Sequence, residues 1–409
     1  MGTAMNSKLR IIVTGLMAQH PRMGGVTWEY VQYLIGLSAL GHDVFYLEDS
    51  GLWPYRFPGE DPDLGGTPNA IHLQQVMERF GLPERWAYRP GSDKRWYGLS
   101  DTKRREVIRT ADLLINVSGS LRKPGDYRRI PLLAYIDSDP VFTQIKAVQS
   151  SRMRARLDAH DVHFSFGETL AGAAVPVTPY RWIPTRTPIA IGQWPFAAPH
   201  RRVYTTVMSW TSYRPLRHQG QAYGQKDIEF RRFTKLPRQV AANFEIATHA
   251  FVRRRWETPG GENREDPITL LVSNGWCLTD SLQVAANLDS YRDYISQSRG
   301  EWSVAKHGYV QGQPGWFSCR SACYLAAGKP AIVQDTGFRP VIPSGEGVLA
   351  FRTPEEAAEG ISRVESDYAR HSRAAREIAE AYFRAETVVG ELVENAFRSR
   401  PASTEVLAR

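Results

Sequence analysis

The segment GWFSCRSACYLAAGKPAIVQDTGF, Gly315 to Phe338, decides the fold prediction. It contains a glycine and aromatic turn, a helix-like run, a Gly-x-Pro turn and an apolar strand that ends in Asp-Thr-Gly. We predict a helix over Arg320 to Ala327, whose N-terminus would carry free N–H groups and a partial positive charge. Ser318, Arg320 and Ser321 at that helix start favour a bound phosphate or diphosphate, although serine is also an ordinary N-cap and arginine an ordinary surface residue.

The bulk properties of the chain are those of an ordinary globular protein with a moderate positive charge. Its 409 residues favour two domains, and its fractions of hydrophobic (42%) and charged (23%) residues are ordinary. The net charge of +8 fits an anionic small molecule and permits nucleic acid. No apolar run approaches the roughly 20 residues that span a bilayer, and the N-terminus lacks a secretory signal, so we expect a cytoplasmic protein with three reduced cysteines.

The N-terminal third predicts a doubly wound α/β domain. LRIIVTGLM (9–17) has the pattern of a buried parallel strand, and a glycine loop, an amphipathic helix over 26–42 and the strand DVFYLEDS (43–50) follow it. This order is a βαβ unit, which implies a parallel sheet with helices on its faces. TADLLINVSGS, IPLLAYIDSDP and HDVHFSFGE predict three further strands that end in small or polar residues, where open α/β sheets hold their ligands.

The C-terminal half predicts a second series of strands and helices. VYTTVMSW (203–210), PITLLVSNGW (267–276), EWSVAKHGYV (301–310) and KPAIVQD (329–335) are interpreted as strands, PRQVAANFEIATHA (237–250) as a helix, and 354–397 as long and helical. We expect an N-terminal domain over 1–180, a proline-rich linker over 181–202, a second domain over 203–378, and a C-terminal helix and tail over 379–409.

Two passages resemble GT-B nucleotide-sugar glycosyltransferases. FSCRSACYLAAGKPAIVQDTGF is similar to the donor-binding half of these enzymes, in which a helix leads through a small-Gly-x-Pro turn into a strand. MGGVTWEYVQYLIGLSALGHDVFYLED, from Met23, resembles their Gly-Gly loop, first helix and second strand. The resemblance implies two Rossmann-like domains that face a cleft, and a C-terminal helix that crosses back to the N-terminal domain. Gly315 and Cys323 stand where many retaining members carry a pair of glutamates, so this pair is lacking, and Ser321 or Glu301 would take over the ribose contact.

The same resemblance implies the donor-binding residues. It places the Gly-Gly loop and the helix start against the diphosphate, Lys226 where such enzymes keep a diphosphate-binding lysine, and Lys306 near the nucleobase. The end of the later strand would lie beside the transferred sugar. The predicted donor-binding set is Gly24, Gly25, Lys226, Lys306, Ser318, Arg320, Ser321, Asp335, Thr336 and Gly337. For Lys226, Lys306 and Asp335, the alternative to a binding role is a surface ion pair or a strand-end turn.

Candidate catalytic residues come from loops that follow strands of the N-terminal half. His20 follows the first strand, its ordinary pKa near 6.5 suits removal of a proton from an acceptor hydroxyl, and some inverting members use a histidine in that loop. Asp137 and Asp139 of IDSDP compete for the same role. Their Asp-x-Asp spacing also mimics a metal motif, but GT-B enzymes neutralise the diphosphate with helix N-termini and basic residues, so we expect no metal.

The aromatic loops of residues 50–100 are the predicted acceptor-binding surface, through Trp53, Tyr55, Trp86 and Trp96. We expect a metal-independent glycosyltransferase of hexosyltransferase type that needs no cofactor. Its co-substrate would be a nucleoside-diphosphate sugar, and a UDP-sugar is the favoured candidate. The acceptor would be a small molecule or glycan. The alternatives are a DNA glycosyltransferase that acts on a hydroxymethylated base, another GT-B reaction such as that of a phosphorylase or epimerase, and a non-catalytic nucleotide-sugar-binding protein.

Overall fold

The computed structural model describes residues 8–55, 61, 64–92, 95–248, 256–257 and 264–400. The elements of the N-terminal half are β1 Arg10–Thr14, α1 Gly24–Ala39, β2 Asp43–Glu48, α2 Thr67–Arg79, β3 Trp86–Tyr88, β4 Tyr97–Gly98, α3 Asp101–Thr110, β5 Leu113–Val117, β6 Leu133–Asp137, α4 Phe142–Gln149, α5 Ser151–Asp158, β7 Val162–Ser165 and β8 Trp182–Pro184.

These strands form one sheet in the order β4-β3-β2-β1-β5-β6-β7-β8. Each neighbouring pair is parallel except β3 and β4, which are antiparallel at one edge. Strands β1, β5 and β6 are almost entirely buried, as expected of parallel strands covered by helices on both faces. The sheet therefore confirms the doubly wound arrangement predicted from the βαβ pattern.

The elements of the C-terminal half are β9 Val203–Val207, β10 Leu216–His218, β11 Gln221–Tyr223, α6 Lys226–Phe230, β12 Asn243–Ala247, β13 Trp256–Glu257, β14 Arg264–Glu265, α7 Pro267–Ser273, β15 Trp276–Thr279, α8 Ser281–Val284, α9 Leu288–Gln297, β16 Gly300–Ser303, α10 His307–Gly312, α11 Cys319–Ala326, β17 Ala331–Gln334, β18 Val348–Phe351, α12 Pro354–Ser366, α13 Tyr368–Tyr382 and α14 Ala385–Arg398. Strands β9, β12 and β15–β18 form a second, wholly parallel sheet in the order β15-β12-β9-β16-β17-β18.

The chain returns to the N-terminal half at its end, as the resemblance implied. Helix α13 packs against α11 of the second half, and α14 then packs against α1 of the first. The backbone pairing of Ile189 with Arg384 joins the segment between the two sheets to the break between α13 and α14. Within the part of the chain that the structure describes, no helix combines the length and apolar character needed to cross a membrane.

Three secondary-structure predictions for the C-terminal half were wrong. The helix predicted over 237–250 contains strand β12, and its last two residues lie outside the described part of the chain. The strand predicted over 267–276 begins as α7, because Asp266 caps the backbone N–H groups of Ile268 and Thr269. The second half of EWSVAKHGYV is α10. The long terminal helical region is divided into α12, α13 and α14.

The two halves meet at the first turn of α1. The backbone N–H of Gly24 donates to the carbonyl of Ala285 at 2.9 Å, and the indole N–H of Trp28 donates to the carbonyl of Leu288 at 2.9 Å. Trp28 is fully buried and its ring lies 5.1 Å from that of Trp194, in the segment between the sheets. These contacts hold the start of α1 against α9 and so fix one wall of the space between the sheets.

Candidate active site

A cavity of about 580 Å³ lies between the two halves, at the carboxyl ends of strands from both sheets. Asp139 enters it just after β6, and Val207, at the end of β9, enters it from the other side. Its charged or titratable lining residues are Arg22, Glu29, Tyr55, Asp139, Lys226, Tyr291, Lys306, Tyr309, Cys319 and Arg320. The volume is that of a typical small-molecule site, and the carboxyl end of a parallel sheet is where such folds bind ligands.

The N-terminus of α11 opens into this cavity. The helix runs from Cys319 to Ala326, one residue earlier than predicted at each end, and Ser318 is its N-cap residue. The Ser318 side chain makes no capping hydrogen bond, and Ser318, Cys319 and Arg320 all line the cavity. The first N–H groups of a helix have no intrahelical acceptor, so this end can bind an anion. Ser321 is buried, does not line this cavity and lines a separate one of about 20 Å³.

Arg320 is held by the protein itself at the edge of the cavity. Its Nε donates to the Glu301 carboxylate at 2.6 Å, its Nη1 to the carbonyl of Val207 at 2.9 Å, and its Nη2 to the hydroxyl of Ser303 at 3.0 Å. Three of the five guanidinium N–H donors are thus bonded to described residues. Glu301 is completely buried beneath this ion pair and does not line the cavity, which contradicts the suggestion that it contacts a ribose.

Lys226 supplies a positive charge that no described carboxylate contacts directly, although Glu301 acts on it through space. It is the first residue of α6 and lines the cavity, and no hydrogen bond or ion pair of its ammonium is found among the described residues. Burial lowers the pKa of Lys226 well below its usual value, and the positive charges of Arg320 and Lys306 lower it further. Lys226, Lys306 and Arg320 therefore bring positive charge to a cavity that Arg22 also lines, and an anionic ligand there would relieve their mutual repulsion.

Lys306 and Asp139 join the two halves across the cavity. The Lys306 Nζ lies 2.7 Å from Asp139 Oδ1, and the hydroxyl of Tyr213 donates to Asp139 Oδ2 at 2.5 Å. Tyr309 donates to the same carboxylate. Burial alone would raise the pKa of Asp139, but Lys306 and these hydrogen bonds hold it below its usual value. This carboxylate is therefore ionised and fully engaged, which suits holding the two halves together better than accepting a proton.

The other two predicted catalytic residues do not line the cavity. Asp137 is buried, and its carboxylate accepts hydrogen bonds from Thr143, Gln144 and Ser165 at 2.6 to 3.0 Å, so it holds the loop after β6 in place. The ring of His20 lies 5.9 Å from that of Tyr55, which does line the cavity. Burial lowers the pKa of His20, and its Nδ1 is buried with no hydrogen-bond partner among the described residues.

The strand end predicted to contact the sugar is occupied by protein contacts. Asp335 is buried and pairs with Arg339 at 3.0 Å and Arg352 at 2.9 Å. The hydroxyl of Thr336 donates to the carbonyl of Trp316. Gly337 lies in a turn with a φ of +89°, and its backbone N–H donates to the carboxylate of Asp335. None of the three lines the large cavity, although Thr336 lines the small one.

The glycines and aromatic residues of the prediction are divided between the cavity and the packing. Gly25 and Tyr55 line the cavity, whereas Gly24 faces the backbone of residues 285–287. Trp53 is 74% exposed, while Trp86 is buried in the N-terminal core. The guanidinium groups of Arg89 and Arg104 lie 5.0 and 4.2 Å from the ring of Trp96. Of the four predicted acceptor residues, Tyr55 alone lines the cavity.

Glu29 is a carboxylate of the cavity wall that the prediction missed. It lies on α1, one turn after Gly25, and lines the cavity together with Lys226, Lys306 and Arg320. Burial raises the pKa of its carboxyl to about 7, although Lys306 opposes the shift. The sequence feature that could have indicated Glu29 is that it is the one charged residue in the helix GGVTWEYVQYLIGLSA. Among the described residues, no group of three or more His, Cys, Asp or Glu side chains is arranged to hold a metal ion.

Comparisons with known proteins identify the fold. The sequence matches no protein-family model and no curated protein sequence. Among solved structures, the chain is similar to an alpha-glucosyltransferase in complex with UDP and a 13-mer DNA, with a TM-score of 0.54 and 10% identity over 96% of this chain and 100% of that one. It is also similar to HepE of Anabaena in complex with UDP-glucose, with a TM-score of 0.54 and 11% identity over 95% and 100%.

A third similar structure is sucrose-phosphate synthase of Thermosynechococcus elongatus, with a TM-score of 0.51 and 14% identity over 95% of this chain and 100% of that one. All three similarities cover both sheets and the terminal helices, rather than one Rossmann-like half. Together with the two parallel sheets, the cavity between them and the return of α14 to α1, they confirm the fold that the sequence resemblance implied: the chain has the GT-B fold of glycosyltransferases.

Proposed function

We propose that the protein is a glycosyltransferase that binds a nucleoside-diphosphate sugar at the N-terminus of α11 and transfers the sugar to an acceptor hydroxyl. A UDP-sugar is the favoured donor. The observation that carries the proposal is the ammonium of Lys226, which no described residue pairs with, beside Arg320 and the helix start at Ser318, all facing one cavity. Such a set matches the charge of a diphosphate leaving group. The UDP or UDP-glucose bound in the similar structures supports the choice of donor.

In this proposal the protein acts mainly by electrostatic stabilisation and alignment. Lys226, the free N–H donors of Arg320 and the N-terminus of α11 stabilise the negative charge that grows on the diphosphate as the glycosidic bond breaks. The acceptor enters from the side of the N-terminal half, near Tyr55 and Gly25, and the cavity aligns its hydroxyl with the anomeric carbon. The basic groups replace the divalent cation that other transferases use, so turnover is expected to persist in a chelator.

Titration calorimetry with UDP and a panel of nucleotide sugars tests the donor. We expect UDP to bind, one UDP-sugar to bind more tightly, and addition of EDTA to leave both affinities unchanged. Absence of binding by any nucleoside diphosphate or nucleotide sugar would overturn the proposal. Steady release of UDP from the preferred donor would separate an enzyme from a non-catalytic binding protein.

The choice between a small acceptor and a hydroxymethylated DNA base is a question of salt dependence. The alpha-glucosyltransferase structure contains DNA, and the chain carries a net charge of +8. For these two reasons a DNA acceptor is tested beside a small one. Affinity for a duplex with a hydroxymethylated base would fall steeply between roughly 50 and 200 mM salt. A small neutral acceptor would bind with little dependence on salt, and this is the outcome we expect.

A further inference from the structure

Glu29 differs from the other described carboxylates because it lines the cavity without a hydrogen bond or ion pair to a described residue. The described carboxylates that line the cavity are Glu29 and Asp139, and no described histidine lines it. Asp139 is held by Lys306, Tyr213 and Tyr309. For Glu29, no hydrogen bond or ion pair is found among the described residues, so its carboxylate is left available to a ligand.

Its position on α1 places Glu29 on the acceptor side of the cavity. It is half-buried, on the helix whose first turn carries Gly25, and the cationic groups of the donor site belong to the other half of the chain. The charged group that acts on it from that half is Lys306, and Cys319 faces the same region from α11. Its neighbours Tyr30 and Tyr33 on its own helix have pKa values raised well above 10 by burial, so they stay neutral.

From this placement we propose that Glu29 is a catalytic residue, the general base that accepts the proton of the acceptor hydroxyl. The inference rests on the proposed function. As the acceptor oxygen bonds to the anomeric carbon, its proton passes to a Glu29 carboxylate oxygen. The bond from that carbon to the diphosphate breaks, and its electron pair leaves on the diphosphate. The raised pKa of Glu29, about 7, suits this role, because a base works best when its pKa lies near the working pH.

The sequence predicted His20, Asp137 and Asp139 as catalytic candidates, and geometry favours Glu29 over all three. Asp139 is held by the hydrogen bonds given above. Asp137 has its oxygens bonded to Thr143, Gln144 and Ser165, away from the cavity. His20 is next to Tyr55, but its own side chain does not line the cavity. A proton acceptor must reach the acceptor hydroxyl directly or through one water, which a carboxylate in the cavity wall can do.

The first test needs no acceptor. In protein labelled with ¹³C at the glutamate carboxyl carbons, the signal absent from Glu29→Gln is assigned to Glu29 and titrated with and without saturating UDP. We expect a pKa near 7 in free protein and a higher value with UDP, because the diphosphate adds negative charge to the same cavity. A pKa near 4.5, or one that UDP does not move, would overturn the inference.

The second test measures turnover as UDP release from the donor preferred in calorimetry. Glu29→Gln should slow turnover by roughly 10²- to 10⁴-fold with the UDP dissociation constant unchanged, and Glu29→Asp should recover part of it. The acidic limb of the pH profile should disappear in Glu29→Gln. The exposed Glu78→Gln is the matched control and should keep full activity. Wild-type turnover and pH profile in Glu29→Gln would contradict the base assignment, whereas failure of wild-type protein to bind UDP would contradict the proposed function instead.

Discussion

Arg320 and Glu301 form a buried ion pair directly behind the N-terminus of α11, with 2.6 Å between Nε and the carboxylate. The Arg320 side chain is 10% exposed and that of Glu301 is fully buried. Together with the hydrogen bonds to Val207 and Ser303, the pair fixes the guanidinium against β9 and β16. The remaining guanidinium N–H donors are available to a ligand in the cavity. Arg320 is thus a structural residue as well as a candidate ligand of the diphosphate.

Breaking this pair should be costly for stability. Arg320→Met leaves the Glu301 carboxylate buried without a counter-charge, and we expect the free energy of unfolding to fall by about 3–5 kcal/mol. In urea denaturation, the double variant Arg320→Met with Glu301→Gln should lose clearly less than the single Arg320 variant, because no uncompensated charge remains. Equal losses in the single and double variants would contradict the ion-pair explanation.

Lys226 is the better residue for testing donor binding, because no hydrogen bond or ion pair to a described residue is lost with its ammonium. Lys226→Met should weaken UDP binding by roughly 10- to 100-fold, the value of a lost hydrogen bond to a charged group. The exposed Lys123→Met is the matched control and should bind UDP as wild type does. Titration calorimetry measures both, and unchanged affinity in Lys226→Met would remove this lysine from the donor site.

The same lysine predicts a pH dependence of stability. Because the pKa of Lys226 is lower in the folded than in the unfolded protein, the unfolded state binds more protons between the two values. The unfavourable contribution of Lys226 is therefore complete below its folded pKa and fades as pH rises toward 10.5. Without ligand, Lys226→Met should be more stable than wild type at neutral pH, and chemical denaturation should show this advantage shrinking at alkaline pH. A constant difference would mean that Lys226 is not desolvated.

Cys319 offers a label at the start of α11. It lines the cavity, whereas Cys277 is exposed elsewhere, and neither is in a disulfide. We expect saturating UDP to slow the alkylation of Cys319 and to leave Cys277 unchanged in the same molecules, as measured by mass spectrometry of tryptic peptides. Equal labelling of Cys319 with and without bound UDP would place the nucleotide away from this helix.

The sequence predicted the fold better than the individual side chains. Strands β1, β2, β9 and β17 and helix α1 follow from apolar periodicity that burial then confirms. The segment over 237–247 was mistaken for a helix because its alanines have high helix propensity, whereas β12 is set by pairing between β9 and β15. Such pairing brings together residues distant in the chain, which local pattern does not reveal.

The predicted residues that line the cavity are mainly those whose location depends on backbone position. The N-terminus of α11 and the loop after β6 reach the cavity because the fold puts them there. Asp335 was expected to contact a sugar, but Arg339 and Arg352 pair with it, and such partners are not visible in a linear sequence. Glu29 was overlooked for the converse reason, since its significance depends on its having no hydrogen bond or ion pair among the described residues.

Gly24 provides the last prediction, on how the halves are held together. A Cβ at Gly24 would lie 2.1 Å from the backbone carbonyl oxygen of Asn287, and that backbone cannot swing aside as a side chain could. Gly24→Ala must therefore push α1 from α9 and break the hydrogen bond to Ala285. We expect the free energy of unfolding to fall by about 1–3 kcal/mol and UDP binding to weaken, because the cavity wall moves.

The control for this prediction is Gly125→Ala, at a position where an added Cβ meets nothing within 4 Å. It should leave UDP binding intact and change stability by less than about 1 kcal/mol. Urea denaturation gives the stability of each variant, and small-angle scattering shows whether the two halves separate. If Gly24→Ala matched Gly125→Ala in stability, scattering and UDP affinity, the contact between α1 and residues 285–287 would not be what sets the distance between the halves.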